Sequence, residues 1–185
     1  MLLNSQNLQG LTTGFRNNFN TGFNLAESHY AQIATMVPST TGKESYPWLG
    51  DMPGIKEWIG DREIHKLEQH DYTIVNKPWE MSLGVNKDSV DDDQYGVYAP
   101  LFSNMGFETA RFPDQLVFEQ LLNGFSLEGY DGQYFFDDDH LGYDEDGAEV
   151  SYSNDGGGSS APWFLLDTRR PLKPIIFQQR RAFDF

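Results

Sequence analysis

The chain has 185 residues and no cysteine, which leaves room for one domain of ordinary size or a domain with extensions, and excludes disulfides, thiolate zinc sites and cysteine nucleophiles. Its formal net charge of -15 argues against a nucleic-acid grip or an anionic membrane as the primary partner. Hydrophobic content is only 38% while aromatic content is 15%, so apolar burial is concentrated in large rings, which suit cores and interfaces alike.

The start, Met1-Leu2-Leu3-Asn4-Ser5-Gln6, lacks the basic flank and apolar run of a signal peptide. The longest apolar runs, near Trp163 to Leu166 and Pro174 to Phe177, are far too short to span a bilayer, so the expectation is a soluble protein made in a cytoplasm. Leu8, Leu11, Phe15, Phe19 and Phe23 then fall on one helical face. Their neighbours Thr12, Thr13, Gly14, Asn17, Asn18, Asn20, Thr21 and Gly22 are poor helix formers. Two readings stand: a weak arm ordered by a partner, or a segment packed on its own domain. Thr13-Gly14-Phe15 recurs as Thr21-Gly22-Phe23, too little for a repeat architecture. Ala26 to Met36 reads as a short second helix ended by Val37-Pro38, and Pro38 to Pro53 as loop. Trp48 and Trp58 lie in polar, glycine-rich context, where a large ring anchors a loop on another surface or fills a local core.

A long hairpin is expected from Gly54 to Asn86. Tyr72 to Val75 is rich in β-branched and aromatic residues, and Trp79, Met81, Leu83 and Val85 alternate with polar residues or glycine. An isolated hairpin is marginal in water and needs a further surface over its apolar face. Asp88 is placed to cap a short turn, and Asp91-Asp92-Asp93 precede the main helix, where its dipole favours carboxylates. Pro100 fits a first helical turn, and Leu101, Met105, Phe112, Leu116, Val117, Leu121 and Leu122 form the expected apolar stripe, stopped by Asn123-Gly124. Pro113 is expected to kink or interrupt this helix, with Asp114 restarting it. Glu128 to Asp155 holds ten carboxylates and no Lys or Arg, and Gly156 to Ser160 closes it as a flexible link. Trp163 to Asp167 reads as a strand, and Lys173 to Arg181 as a partly extended basic tail.

Catalytic motifs do not emerge. His29, His65, His70 and His140 are scattered, no G-x-S-x-G, H-E-x-x-H, G-x-G-x-x-G or P-loop string occurs, and no catalytic, cofactor-binding or metal residue is assigned. The alternative to a structural role is an acidic calcium- or metal-binding module using Asp137, Asp139 and His140, with Asp144-Glu145-Asp146-Gly147 as a superficial calcium loop. The EF-hand register fails from both starts: from Asp137 it places Leu141 fifth and Ala148 twelfth, and from Asp144 it places Ala148 fifth.

Several strings together carry a resemblance. They include Ile33-Ala34-Thr35-Met36-Val37-Pro38-Ser39-Thr40-Thr41, Trp48-Leu49-Gly50, Glu57-Trp58-Ile59-Gly60-Asp61-Arg62, Asp91-Asp92 and Tyr95-Gly96-Val97-Tyr98. Further on come Pro113-Asp114-Gln115-Leu116-Val117-Phe118, Tyr130-Asp131-Gly132-Gln133-Tyr134-Phe135-Phe136 and Pro171-Leu172-Lys173-Pro174. In order and content the chain resembles the major head (capsid) proteins of Mu-like phages and prophages. That resemblance implies an α+β fold of the Hong Kong 97 type, with an N-terminal arm over 1–52, an extended β-hairpin loop over 53–88, a peripheral domain with spine helix over 89–130 and the start of an axial domain over 131–185. It implies a non-enzymatic structural protein of the virion that self-assembles in the bacterial host cytoplasm into hexamers and pentamers of an icosahedral shell. The implied partners are scaffold, portal and decoration proteins, with double-stranded DNA enclosed but not read by sequence, and no cofactor or membrane. Lys66 and Lys77 on the hairpin would meet acidic loops of a neighbour. Family members are longer, so the resemblance also implies that this chain is a truncated, split or partial form, with further axial and returning peripheral strands expected beyond Phe185.

Overall fold

The computed structural model describes residues 5–46, 72–86, 88–89, 95–144 and 148–185. Two compact units are present, one built from Met1–Pro38, Lys77–Phe118 and Asp167–Phe185, the other from Ser39–Asn76 and Glu119–Leu166. No described helix is long and apolar enough to cross a membrane.

In the first unit, helix α1 spans Ser5–Leu25 and meets its own domain, which resolves the two readings of this segment. Its poor helix formers are accommodated locally: the hydroxyls of Thr12, Thr13 and Thr21 donate to the carbonyls of Leu8, Gln9 and Asn17 at 2.9, 2.8 and 2.9 Å. Its apolar face is aromatic. Phe15 stacks on Phe102 with centroids 4.1 Å apart, and buried Phe19 lies 5.4 Å from the Phe185 ring. Phe102 belongs to the long helix α3 (Ala99–Asn123), which follows a 3-10 turn at Tyr95–Tyr98.

Two glycines set how closely α1 and α3 approach. A Cβ on Gly22 would lie 1.7 Å from the Ser103 carbonyl oxygen, and one on Gly106 would lie 2.0 Å from that of Phe19. The buried line of α3 is therefore Phe102, Gly106, Pro113, Val117 and Leu121, turned by about one position from the expected stripe. Leu101 and Leu122, assigned to the core by their apolarity, are exposed. Gly106 has no side chain to score as apolar, yet it sits at the centre of the contact. Pro113 does not interrupt the helix, which continues through it to Asn123.

Asp114 does not restart a helix. Its carboxylate accepts hydrogen bonds from the backbone N–H groups of His29 (2.8 Å) and Tyr30 and from the Ser28 hydroxyl (3.3 Å), satisfying free donors at the start of the short helix α2, Tyr30–Ile33. This corrects the helix expected over Ala26 to Met36: only one turn forms, and the chain then becomes strand β1, Ala34–Pro38. Asp114→Ala is expected to lower stability by about 1–3 kcal/mol, because one of the stranded N–H groups is partly buried. Urea denaturation checks the size, and faster amide exchange at Tyr30 identifies the cause.

β1 pairs in parallel with β6 (Ile175–Gln179), in register Ala34↔Ile175 through Pro38↔Gln179. The basic tail is thus extended, as expected, but as an ordered strand. Thr35 Oγ1 accepts a hydrogen bond from the Lys173 N–H at 2.7 Å, and the Tyr30 ring lies 4.9 Å from Phe177.

In the second unit, β2 (Lys43–Tyr46) and β3 (Tyr72–Val75) form an antiparallel pair. The strand at Tyr72–Val75 is as expected. Its partner corrects the loop assignment of Pro38 to Pro53, because Lys-Glu-Ser-Tyr carries no strand signal until its cross-strand neighbours supply one, such as Thr73 Oγ1, 3.0 Å from Ser45 Oγ. The preceding turn is organised by one carboxylate. Glu44 Oε1 accepts from Ser39 Oγ (2.9 Å), the Thr40 N–H (3.0 Å), the Thr41 N–H (3.2 Å) and Thr41 Oγ1 (3.1 Å). The Thr40 amide, then the Ser39 hydroxyl and the Thr41 donors, hold the Glu44 carboxyl below its ordinary value of 4.5. A depressed carboxylate stabilises the fold above its unfolded pKa and stops doing so as pH falls through the folded one. Order in the Ser39–Gly42 turn is therefore expected to be constant above pH 4.5 and lost on acidification below it. Glu44→Gln is expected to remove that dependence, read from the Thr40 and Thr41 amide signals in an NMR titration.

Candidate assembly surfaces

The segment 77–86 carries no β-ladder, which corrects the strand expected from Trp79 to Val85. Alternation alone cannot tell a paired strand from an extended chain awaiting a partner. Trp79 touches Phe112 of α3 edge-on at 5.0 Å, yet Trp79, Met81 and Leu83 stay largely exposed. The remainder of the expected hairpin, with Lys66, Trp58, His65 and His70, lies outside the described residues, as do Trp48 and Asp91-Asp92-Asp93; Lys77 is exposed. Trp163 to Asp167 likewise forms no strand. There Phe164 turns inward onto Phe136 at 5.2 Å, while Trp163 and Leu165 are 82% and 87% exposed.

The acidic stretch is more ordered than its composition implies. It contains a hairpin, β4 (His140–Tyr143) with β5 (Glu149–Tyr152), and in the same unit Phe125, Phe135, Phe136 and Phe164 form an aromatic cluster. Asn154 clamps its entrance, accepting from the Asp137 N–H and donating to the Phe135 carbonyl, both at 2.8 Å. The hairpin was hidden because short strands of mixed polarity, separated by acids and glycine, read as loop. Beyond it, Gly157 and Gly158 take positive φ (67° and 112°), consistent with the glycine-rich link expected there.

The residues of the metal alternative are only partly brought together. Ligand oxygens of Asp137, Asp138 and Asp139 lie within 4.8 Å of one another at an exposed turn. His140 is not among them. It is buried, its Nδ1 3.4 Å from Asp131 Oδ2 and its ring stacked on Tyr152 at 5.6 Å. Asp144 closes the hairpin turn by accepting from the Ala148 N–H at 2.8 Å. Asp131 and Asp144 thus have local structural partners in His140 and the Ala148 amide.

Comparison with known proteins decides the family. The model of the Mu-like prophage major head subunit gpT matches residues 8–185. The chain belongs to that family. It is 43% identical to the Mu-like prophage FluMu major head subunit of Haemophilus influenzae, over 95% of this chain and 59% of that protein. Identity to the major capsid protein of Escherichia phage Mu is 42%, over 98% and 61% respectively. This Mu-like head-family chain therefore spans about three-fifths of the length of these relatives. Among solved structures, it matches the procapsid of bacteriophage JBD30 with a TM-score of 0.78 at 40% identity, over 97% of this chain and 62% of that one. The JBD30 capsid decorated with minor capsid protein trimers matches with a TM-score of 0.58 at 36% identity, over 82% and 48%. These matches and the mixed helix and strand content bear out the resemblance and its Hong Kong 97-type fold.

Proposed function

We propose that this chain is a structural subunit of a phage head, associating with copies of itself into the hexamers and pentamers of an icosahedral shell in the virion. The observation that carries the reading is the likeness to the JBD30 procapsid over nearly the whole chain at 40% identity. The exposed apolar side chains support it: Trp79, Met81, Leu83, Trp163 and Leu165 suit a protein whose remaining burial comes from neighbours. At ~25 cal/mol per Å² of apolar area, such surfaces would contribute several kcal/mol per neighbour before ordering costs. In this reading residues 1–52 act as the arm, 53–88 as the loop over a neighbour, 89–130 as the peripheral domain and 131–185 as part of the axial domain. The net charge of -15 suits a container that holds double-stranded DNA without gripping it. A scaffold, a portal and minor capsid proteins such as those decorating JBD30 complete the partner set, with assembly in the host cytoplasm.

Electron microscopy of the expressed full-length subunit tests the proposal. Closed shells, rings or sheets are the expected result, and a compact monomer persisting at high concentration would overturn it.

A further inference from the structure

The β4–β5 hairpin presents a face that no described residue of its own unit covers. In the register Leu141↔Ser151, Gly142↔Val150, Tyr143↔Glu149, positions His140 and Gly142 are buried while the side chains of Leu141 and Tyr143 turn out, 63% and 61% exposed. Glu149 lies directly across from Tyr143, so an aromatic ring, an aliphatic side chain and a carboxylate share one surface. All of β5 is exposed, and the stretch from Glu128 to Asp155 contains no Lys or Arg to neutralise it. A planar cation suits this combination, stacking on the ring while pairing with the carboxylate.

Most described arginines are already committed. Arg16 donates to the Phe185 carbonyl at 2.9 Å, Arg111 lies over the Phe107 ring, and Arg169 and Arg170 face Asp167. Arg180 and Arg181 are not. They are exposed and form no ion pair among the described residues. They are also held in place, between strand β6 and Phe183, whose ring meets Phe112 at 5.9 Å. The exposed Lys43 and Lys77 are single point charges without a plane to stack.

We propose that the Leu141–Tyr143–Glu149 face receives Arg180 and Arg181 of a second copy of this chain, as a charge-complementary contact between subunits. The inference rests on the shell-subunit reading and adds to it a specific pair of surfaces. It also gives the acidic hairpin a partner that is neither a metal ion nor nucleic acid.

These 185 residues contain no cysteine, which permits a direct cross-linking test. Leu141→Cys and Arg181→Cys, prepared separately and mixed under mild oxidation, are expected to give a disulfide-linked dimer that neither forms alone in comparable yield. In parallel, Arg180→Glu/Arg181→Glu and Glu149→Arg are each expected to weaken self-association about tenfold or more, and mixing the two to restore it. Each variant's circular dichroism confirms its fold. Wild-type shells without a mixed cross-link, or reversals that leave association unchanged, would overturn the contact while leaving the shell reading intact. A mixed cross-link from wild-type-like subunits that form no shells would sink the shell reading and support the contact. Normal association of the arginine variant with lost retention of a DNA duplex probe would overturn the proposal in favour of a nucleic-acid role for the pair.

Discussion

Gly106→Ala is expected to destabilise the first unit by about 3 kcal/mol, because the new methyl would meet backbone, which cannot rotate away, and the helices would have to separate. The added Cβ would lie 2.0 Å from the Phe19 carbonyl oxygen and 2.9 Å from the Phe23 nitrogen. Gly22→Ala should behave alike, facing the Ser103 carbonyl at 1.7 Å. The control is built into the chain, since Gly14 occupies the same Thr-Gly-Phe context as Gly22 but has nothing within 4 Å of an added Cβ. Gly14→Ala is therefore expected to stabilise by about 0.5–1 kcal/mol through helix propensity. Urea denaturation followed by circular dichroism separates the cases. Equal effects at Gly14 and Gly22 would show that the α1–α3 approach is not what these glycines serve.

Phe102→Ala is expected to cost about 3–5 kcal/mol, the range for deleting a buried aromatic ring. Phe102 is 4% exposed, stacked on Phe15 and in edge contact with Phe185 at 5.8 Å, so its loss opens a void where α1, α3 and the C-terminal residues meet. The adjacent Leu101→Ala, at an exposed position, is expected to stay within about 0.5 kcal/mol. Reversal of that order would restore the apolar stripe as sequence periodicity draws it. Denaturation midpoints at unchanged slope give the comparison.

What was legible in the sequence was whatever a local pattern carries. The aromatic spacing from Leu8 to Phe23 announced α1, Asn123-Gly124 announced the end of α3, and Tyr72 to Val75 announced a strand. What was not legible depended on distant chain. Asp114 reads as a helix residue until Tyr30 comes within reach of its carboxylate. Lys43–Tyr46 reads as loop until β3 lies beside it, and the strand character of Ala34–Pro38 appears only through β6. The same limit applied to the assembly surfaces. Alternation from Trp79 to Val85 was visible and its exposure is observed, but the missing ladder was not visible. At the acidic hairpin, composition concealed an ordered face because neither strand is apolar enough to stand out.

The parallel pairing of β1 with β6 has a consequence for the order of events during synthesis. Thr35 and Lys173, joined by a hydrogen bond at the start of this ladder, are 138 positions apart. While a ribosome is still making the intervening residues, β1 has no strand to lie against, and closing so large a loop is slow on entropic grounds. Within these 185 residues, the strand pairs of the second unit, β2 with β3 and β4 with β5, join segments far closer in the chain. Arg180 and Arg181 follow β6 immediately, so they take up their fixed position only after that late closure. On the shell reading proposed above, such timing would keep half-made chains from joining a growing lattice.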